Sequence, residues 1–304
     1  MPRALYGYEV ESPLGFTLLR SGAGERGRLI IEPTSEEELI GRAGELVWWS
    51  EVDGSRYVLA NVPGGTLGWC STSGAYLTEP AAARLRVVRQ GSQENWEHRL
   101  GAVMAPLLLA GRGDLSLHAA TIETEAGALV VCGPSGRGKS TLAAALATAG
   151  AAIASEDGTV ISDLDTAPRA WPGLTGVRLT GPAMRALGVP SVNGGPENKA
   201  RRLLTHDGAE SGSRPIPVGA VLVLRQRGGS AVSIRPLDPI DALPAVMPSA
   251  IYAGPPALEQ TLNLAARLLE RIPAYEVRLP DDLTALGRAA ATLLGMAGRV
   301  RSAA

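Results

Sequence analysis

The chain is 304 residues long, 45% hydrophobic and 4% aromatic, with 29 Lys and Arg against 30 Asp and Glu and a formal net charge of −1. That balance excludes a general electrostatic binder of nucleic acid or of a membrane surface, and no apolar run of about 18 residues is present to span a bilayer. The length allows two domains or one large one. Met1, Pro2, Arg3, Ala4, Leu5 and Tyr6 carry no apolar signal region, so a cytoplasmic protein is expected. Cys70 and Cys132 lack metal-ligand spacing and are expected as reduced thiols, Cys132 as a small buried filler rather than a thiol activated by a helix N-terminus.

Residues 1–92 read as short strands of near-alternating polarity broken by Gly, Pro and Ser: Tyr6–Val10, Gly15–Arg20, Arg28–Glu32, Leu46–Ser50, Ser55–Leu59 and Gly65–Cys70. They predict a small β-rich domain ahead of an α/β domain at 93–304. Glu94–Arg112 places Leu100, Val103, Met104, Leu107 and Leu108 at helical spacing and predicts a buried linking helix. Ser116–Glu123 is expected as one strand, turning at Glu125-Ala126-Gly127 and returning antiparallel.

That returning run, Ala128-Leu129-Val130-Val131, feeds Gly133-Pro134-Ser135-Gly136-Arg137-Gly138-Lys139-Ser140-Thr141, and a helix-prone run follows from Leu142 to Ala149. Strand, glycine loop and helix are the context that makes G-x-x-x-x-G-K-[ST] a phosphate-binding pattern. Glycines let backbone N–H groups close on phosphate oxygens, and the helix N-terminus adds a positive dipole end. Lys139 reaches the outer phosphates and the Ser140 hydroxyl is suited to Mg²⁺. A nucleoside triphosphate is the expected ligand. Of the 29 Lys and Arg, only Lys139 and Lys199 are lysine, which marks Lys199 as a second site candidate.

Ala151–Ser155 is expected as the next strand, ending at Glu156-Asp157-Gly158, with Thr159–Ser162 after it. Glu156 and Asp157 lie 17 and 18 residues beyond Lys139 and are the nearest carboxylates for holding a metal and for deprotonating an acceptor hydroxyl. His118, in an apolar strand beside the loop-bearing one, is a candidate for contacting the phosphates, whereas His98 and His206 read as surface residues. A short helix is expected near Pro182–Leu187, and the polar 188–217 segment as a lid or substrate loop. Strands are expected at Val218–Leu224, Val232–Leu237 and Ala274–Leu279, and helices at Leu258–Glu270 and Asp282–Met296. Val218–Leu224 runs into Arg225, Gln226 and Arg227 with no acid at its end, and no Leu-Ser-Gly-Gly-Gln-like stretch exists, which argues against a conventional P-loop ATPase or a transporter ATPase.

Leu117-His118-Ala119-Ala120, the loop Gly133–Thr141 and the pair Glu156-Asp157 resemble, in order and spacing, the catalytic domain of the HPr kinase/phosphorylase family. Arg99-Leu100-Gly101-Ala102 through Gly113-Asp114-Leu115, Pro172–Leu179, Lys199-Ala200-Arg201 and Pro217–Leu224 extend the resemblance over about residues 95–295. It implies a phosphoenolpyruvate-carboxykinase-like P-loop kinase domain with a mixed sheet, and an ATP- and Mg²⁺-dependent kinase acting on a hydroxyl, foremost serine of a peptide or small protein. A small-molecule hydroxyl kinase and a non-catalytic ATP-binding scaffold are the rivals.

Carried over by position, the resemblance implies that Gly133, Ser135, Gly136, Arg137, Gly138, Lys139, Ser140 and Thr141 cradle ATP and that Ser140 and Glu156 hold Mg²⁺. Asp157 or Glu156 would polarise the acceptor hydroxyl, with Asp157 the first choice as base; His118 would meet the transferring phosphoryl, and Arg178 with Lys199 would meet nucleotide or acceptor. The family is often hexameric, which leaves a homo-oligomer open. Glu156-Asp157 stands where the family usually has Asp-Asp. The family's Glu-Val-Arg-Gly-Leu-Gly stretch, tied to dephosphorylation, is missing, so the resemblance does not extend to phosphorylase activity or to HPr as substrate, and both stay open.

Overall fold

The structure, a computed structural model, describes residues 1–42, 44–52, 54–189, 200–202 and 213–303. Its first sheet has nine strands: β1 (Arg3–Leu5), β2 (Tyr8–Glu11), β3 (Arg20–Ser21), β4 (Arg28–Pro33), β5 (Glu45–Val52), β6 (Ser55–Val62), β7 (Gly65–Cys70), β8 (Gly74–Glu79) and β9 (Arg84–Arg89), with helix α1 (Glu36–Ile40) after β4. Their order is β3-β1-β2-β4-β9-β8-β7-β6-β5. The run from β5 to β9 is an antiparallel meander, whereas β4 lies parallel to both β2 and β9.

Five of the six expected strands form. Gly15–Arg20 does not, because the Glu97 carboxylate takes the amides of Thr17 and Leu18 that a ladder would need. β1, β8 and β9 form where no strand is expected from the sequence. β8 is buried at its first five positions, so it shows no alternation to read.

The linking helix is α2 (Gln93–Arg99), a π-helical turn at Leu100–Met104, and α3 (Ala105–Ala110). Its apolar face joins Leu5, Tyr6, Tyr8, Leu29, Tyr76, Val160, Trp171 and Leu174 in one core cluster, which therefore draws on both sides of residue 92.

The second sheet comprises β10 (Leu115–Leu117), β11 (Ala120–Thr124), β12 (Gly127–Cys132), β13 (Ala152–Ser155), β14 (Thr159–Ser162) and β15 (Arg169–Trp171), together with the later strands β18 (Ile216–Leu224), β19 (Ser233–Leu237) and β20 (Ala274–Arg278). Between them, β16 (Val177–Leu179) and β17 (Ala200–Arg202) form a separate ribbon. The helices are α4 (Lys139–Thr148), α5 (Gly181–Ala186), α6 (Pro239–Val246), α7 (Pro255–Arg271) and α8 (Leu286–Ala303). The sheet is mixed: β12 runs parallel to β18 and antiparallel to β11, and β18 runs parallel to β20.

The strand expected at Ser116–Glu123 is two strands. β10 pairs with β14 and β11 with β12, and the chain breaks between them at His118-Ala119, where the His118 amide donates to the Ser249 carbonyl instead of a ladder. No helix among the described residues is long and apolar enough to cross a membrane.

Candidate functional site

β12 is buried from Ala128 to Cys132, and it delivers Gly133 to the edge where α4 begins at Lys139. Gly138 has φ 100° and caps α4 without a side-chain hydrogen bond. A side chain there would be strained by the backbone, and Arg227, whose Nη2 lies 2.9 Å from where a Cβ would sit, would have to shift. Arg227 follows β18, and burial lowers its pKa while Asp281 opposes that shift. It thus brings a cation to the loop-helix junction from a strand end that reads, in sequence, only as lacking an acid.

Lys139 is 6% exposed, and its Nζ donates to the Gly133 carbonyl at 2.8 Å, which holds the ammonium over the opening of its own loop. Ser249, from the turn after α6, accepts from the Gly133 amide at 3.2 Å and ties the same opening to the His118 segment. Cys132 is fully buried and burial pushes its thiol up to about 12, so the filler reading holds over an activated thiol.

The acidic turn reaches the loop although β13 is separated from β12 by β11. Ser140 Oγ donates to Glu156 Oε1 at 2.8 Å, and Glu156 is 1% exposed. Asp157 adopts φ 62°, an uncommon conformation for a residue with a side chain. His118 Nδ1 lies 2.9 Å from the Asp157 carbonyl. A carbonyl only accepts, so Nδ1 carries a proton. Nε2 of the same ring is 3.9 Å from Asp157 Oδ1.

His98 is not a surface residue. It is 8% exposed, and its Nε2 faces Asp157 Oδ2 at 3.4 Å. The rotation of α2 explains this. Glu97, one residue earlier, accepts from Thr17 and Leu18, Tyr76 donates to the Trp96 carbonyl, and the Trp96 ring packs on Phe16 at 5.6 Å. With those neighbours turned toward the first sheet, His98 is turned to the acids. Its polarity hides it in sequence, where it falls outside the apolar stripe of the helix.

The first sheet also braces the turn. Tyr6 is fully buried at φ 51°, and its hydroxyl donates to Gly101 O at 2.9 Å and Gly158 O at 3.0 Å. Burial raises its pKa well above the ordinary tyrosine range. Ser155 Oγ donates to the same Gly158 carbonyl. Arg20 donates to the carbonyls of Gly173, Ile153 and Ala154 at 3.1, 2.8 and 2.7 Å. A Cβ on Gly158 would stand 2.6 Å from the Tyr6 hydroxyl and 2.7 Å from Ala102 O, which explains a glycine after the acids.

The structure therefore brings Lys139, Ser140, Glu156, Asp157 and His118 into one neighbourhood and adds His98. Arg178 lies on the β16–β17 ribbon, opposite Arg201, and its Nε is 3.8 Å from Glu94 Oε1. Glu94 stands one helical turn before His98. Lys199, His206 and most of the expected 188–217 lid lie outside the described residues.

No protein-family model matches the chain, and no curated protein matches it. Among solved structures, it is similar to the Hpr(Ser) kinase/phosphatase from Coxiella burnetii, at 12% identity and a TM-score of 0.30, over 62% of this chain and 99% of that one. A TM-score of that size is below what two chains of one fold give, so any case for nucleotide chemistry stands on this chain's own loop and acids.

Proposed function

We propose that the chain is an ATP- and Mg²⁺-dependent phosphotransferase acting on a hydroxyl, with serine of a peptide or small protein as the first acceptor class. The observation that carries the reading is the 2.8 Å contact between Ser140 Oγ and Glu156 Oε1, because it joins the phosphate-loop serine to the acid of a different strand. A hydroxyl and two carboxylates are hard oxygen donors, a set that suits Mg²⁺ shared with phosphates. The ion would supply charge neutralisation between nucleotide and acids.

The remaining work falls to side chains. Gly133, Ser135, Gly136, Arg137, Gly138 and Thr141 line the loop, with Lys139 for the outer phosphates. Asp157 Oδ1 is the base for the acceptor hydroxyl, and His118 Nε2, exposed on the same side, orients it or meets the incoming oxygens. Arg178 and Lys199 are assigned to acceptor or nucleotide. The cytoplasm is the proposed compartment, and a homo-oligomer is open.

Titration with a fluorescent ATP analogue, paired with a mass-shift assay on a panel of serine peptides and hydroxyl metabolites, tests this. Lys139→Ala abolishes nucleotide binding, whereas Asp157→Asn keeps binding and loses transfer. Equal loss of binding in both would contradict the assigned roles. Transfer only to a metabolite would move the acceptor class, and tight binding with no transfer to anything would favour a scaffold.

A further inference from the structure

His98, Glu156 and Asp157 each offer a ligand atom, and these atoms all lie within 4.8 Å of one another. We propose that the three form a protein-borne site for a first-row transition-metal dication of the zinc, cobalt or manganese type, occupied without any nucleotide. The inference shares its acids with the proposed phosphotransferase but adds His98, to which that reading gives no role.

Three observations favour it. The 3.4 Å between His98 Nε2 and Asp157 Oδ2 is long for an N–H···O hydrogen bond, whose usual length is about 2.9 Å. It equals the edge of a tetrahedron with ligands at about 2.1 Å, the ordinary zinc–nitrogen and zinc–oxygen distance, and the three ligand atoms, within 4.8 Å of one another, need only side-chain rotation to close on an ion. The donor set is also wrong for a site built for Mg²⁺ alone, which takes oxygens and retains water, whereas an imidazole selects a softer ion.

Finally, the segments that carry the ligands are held before any ion arrives. His98 is fixed by the Glu97 and Trp96 contacts of α2, and the acidic turn by Tyr6 and Ser155. Glu156 and His98 are buried while the Asp157 side chain is 19% exposed, so an ion would enter from the Asp157 side. Because Oδ2 faces His98 and Oδ1 faces His118, the ion takes one carboxylate oxygen and leaves the other for an acceptor.

The test uses the full chain, stripped with a chelator and titrated with Co²⁺ in the absence of nucleotide. Calorimetry reads affinity and the visible d–d bands read coordination. The expected result is one Co²⁺ per chain, with bands of a four-coordinate site and a thermal midpoint raised by the ion. His98→Gln, close in size to the native residue, weakens binding at least about tenfold and loses those bands. Wild-type protein that takes up no Co²⁺, or His98→Gln that binds it with unchanged affinity and spectrum, overturns the proposal. Nucleotide binding plays no part in either readout, so a failure here leaves the Lys139 test standing, and the reverse also holds.

Discussion

Asp157 holds a left-handed backbone conformation that glycine would adopt without cost, yet it places its carboxylate between two histidines. Strain of this kind at a polar turn is expected where geometry serves chemistry more than stability. Asp157→Gly should therefore leave the thermal midpoint unchanged or raise stability by up to about 1 kcal/mol, while transfer is lost. A clear loss of stability would show that the carboxylate serves the fold instead. Gly158→Ala should do the opposite: the added methyl meets the Tyr6 hydroxyl and Ala102 O, and overpacking there costs about 1–3 kcal/mol, measurable by urea unfolding. At the same scale, Cys132 should resist thiol reagents in the native protein at mildly alkaline pH. Its thiol stays protonated below about 12 and its side chain is fully buried, so labelling should await unfolding.

At the level of elements, the strand-loop-helix unit is legible in the sequence because every part of it is local: an apolar run, glycines at fixed spacing, and an alanine-rich helix. The acids are legible for the same reason, as the end of the next strand. What sequence spacing leaves hidden is where the neighbours come from. His98 is delivered by α2 only because Glu97 and Trp96 are engaged by residues some 80 positions away, and Tyr6 reaches Gly158 across 152 positions. Contacts of that separation leave no periodic trace. The π-helical turn at Leu100–Met104 likewise looks like ordinary helix in sequence, yet it presents the Gly101 carbonyl to Tyr6. Tyr6→Phe removes a donor shared by two buried carbonyls, so it should cost about 1–2 kcal/mol. Because the braced turn and not the phosphate loop is disturbed, kcat should fall with little change in nucleotide affinity. An unchanged kcat would show that the turn holds its shape without the first sheet.

Across the whole molecule, the first sheet and the loop-bearing sheet share a core that includes Leu5, Tyr6, Leu100, Trp171 and Leu174, and Arg20 donates into the segments on either side of the acidic turn. Charge balance and the two cysteine thiols set broad bounds in the sequence, but the dependence of the site on residues before 92 emerges only once both sheets are assembled.

The central claim is that the acids of that turn act on an ion bound together with the loop's phosphates, and nucleotide affinity measured with and without Mg²⁺ tests it most directly. Wild-type protein should bind the fluorescent ATP analogue more tightly with Mg²⁺ than with chelator. Glu156→Gln should retain the chelator-level affinity and lose the Mg²⁺ gain. An undiminished Mg²⁺ gain in Glu156→Gln would contradict the account.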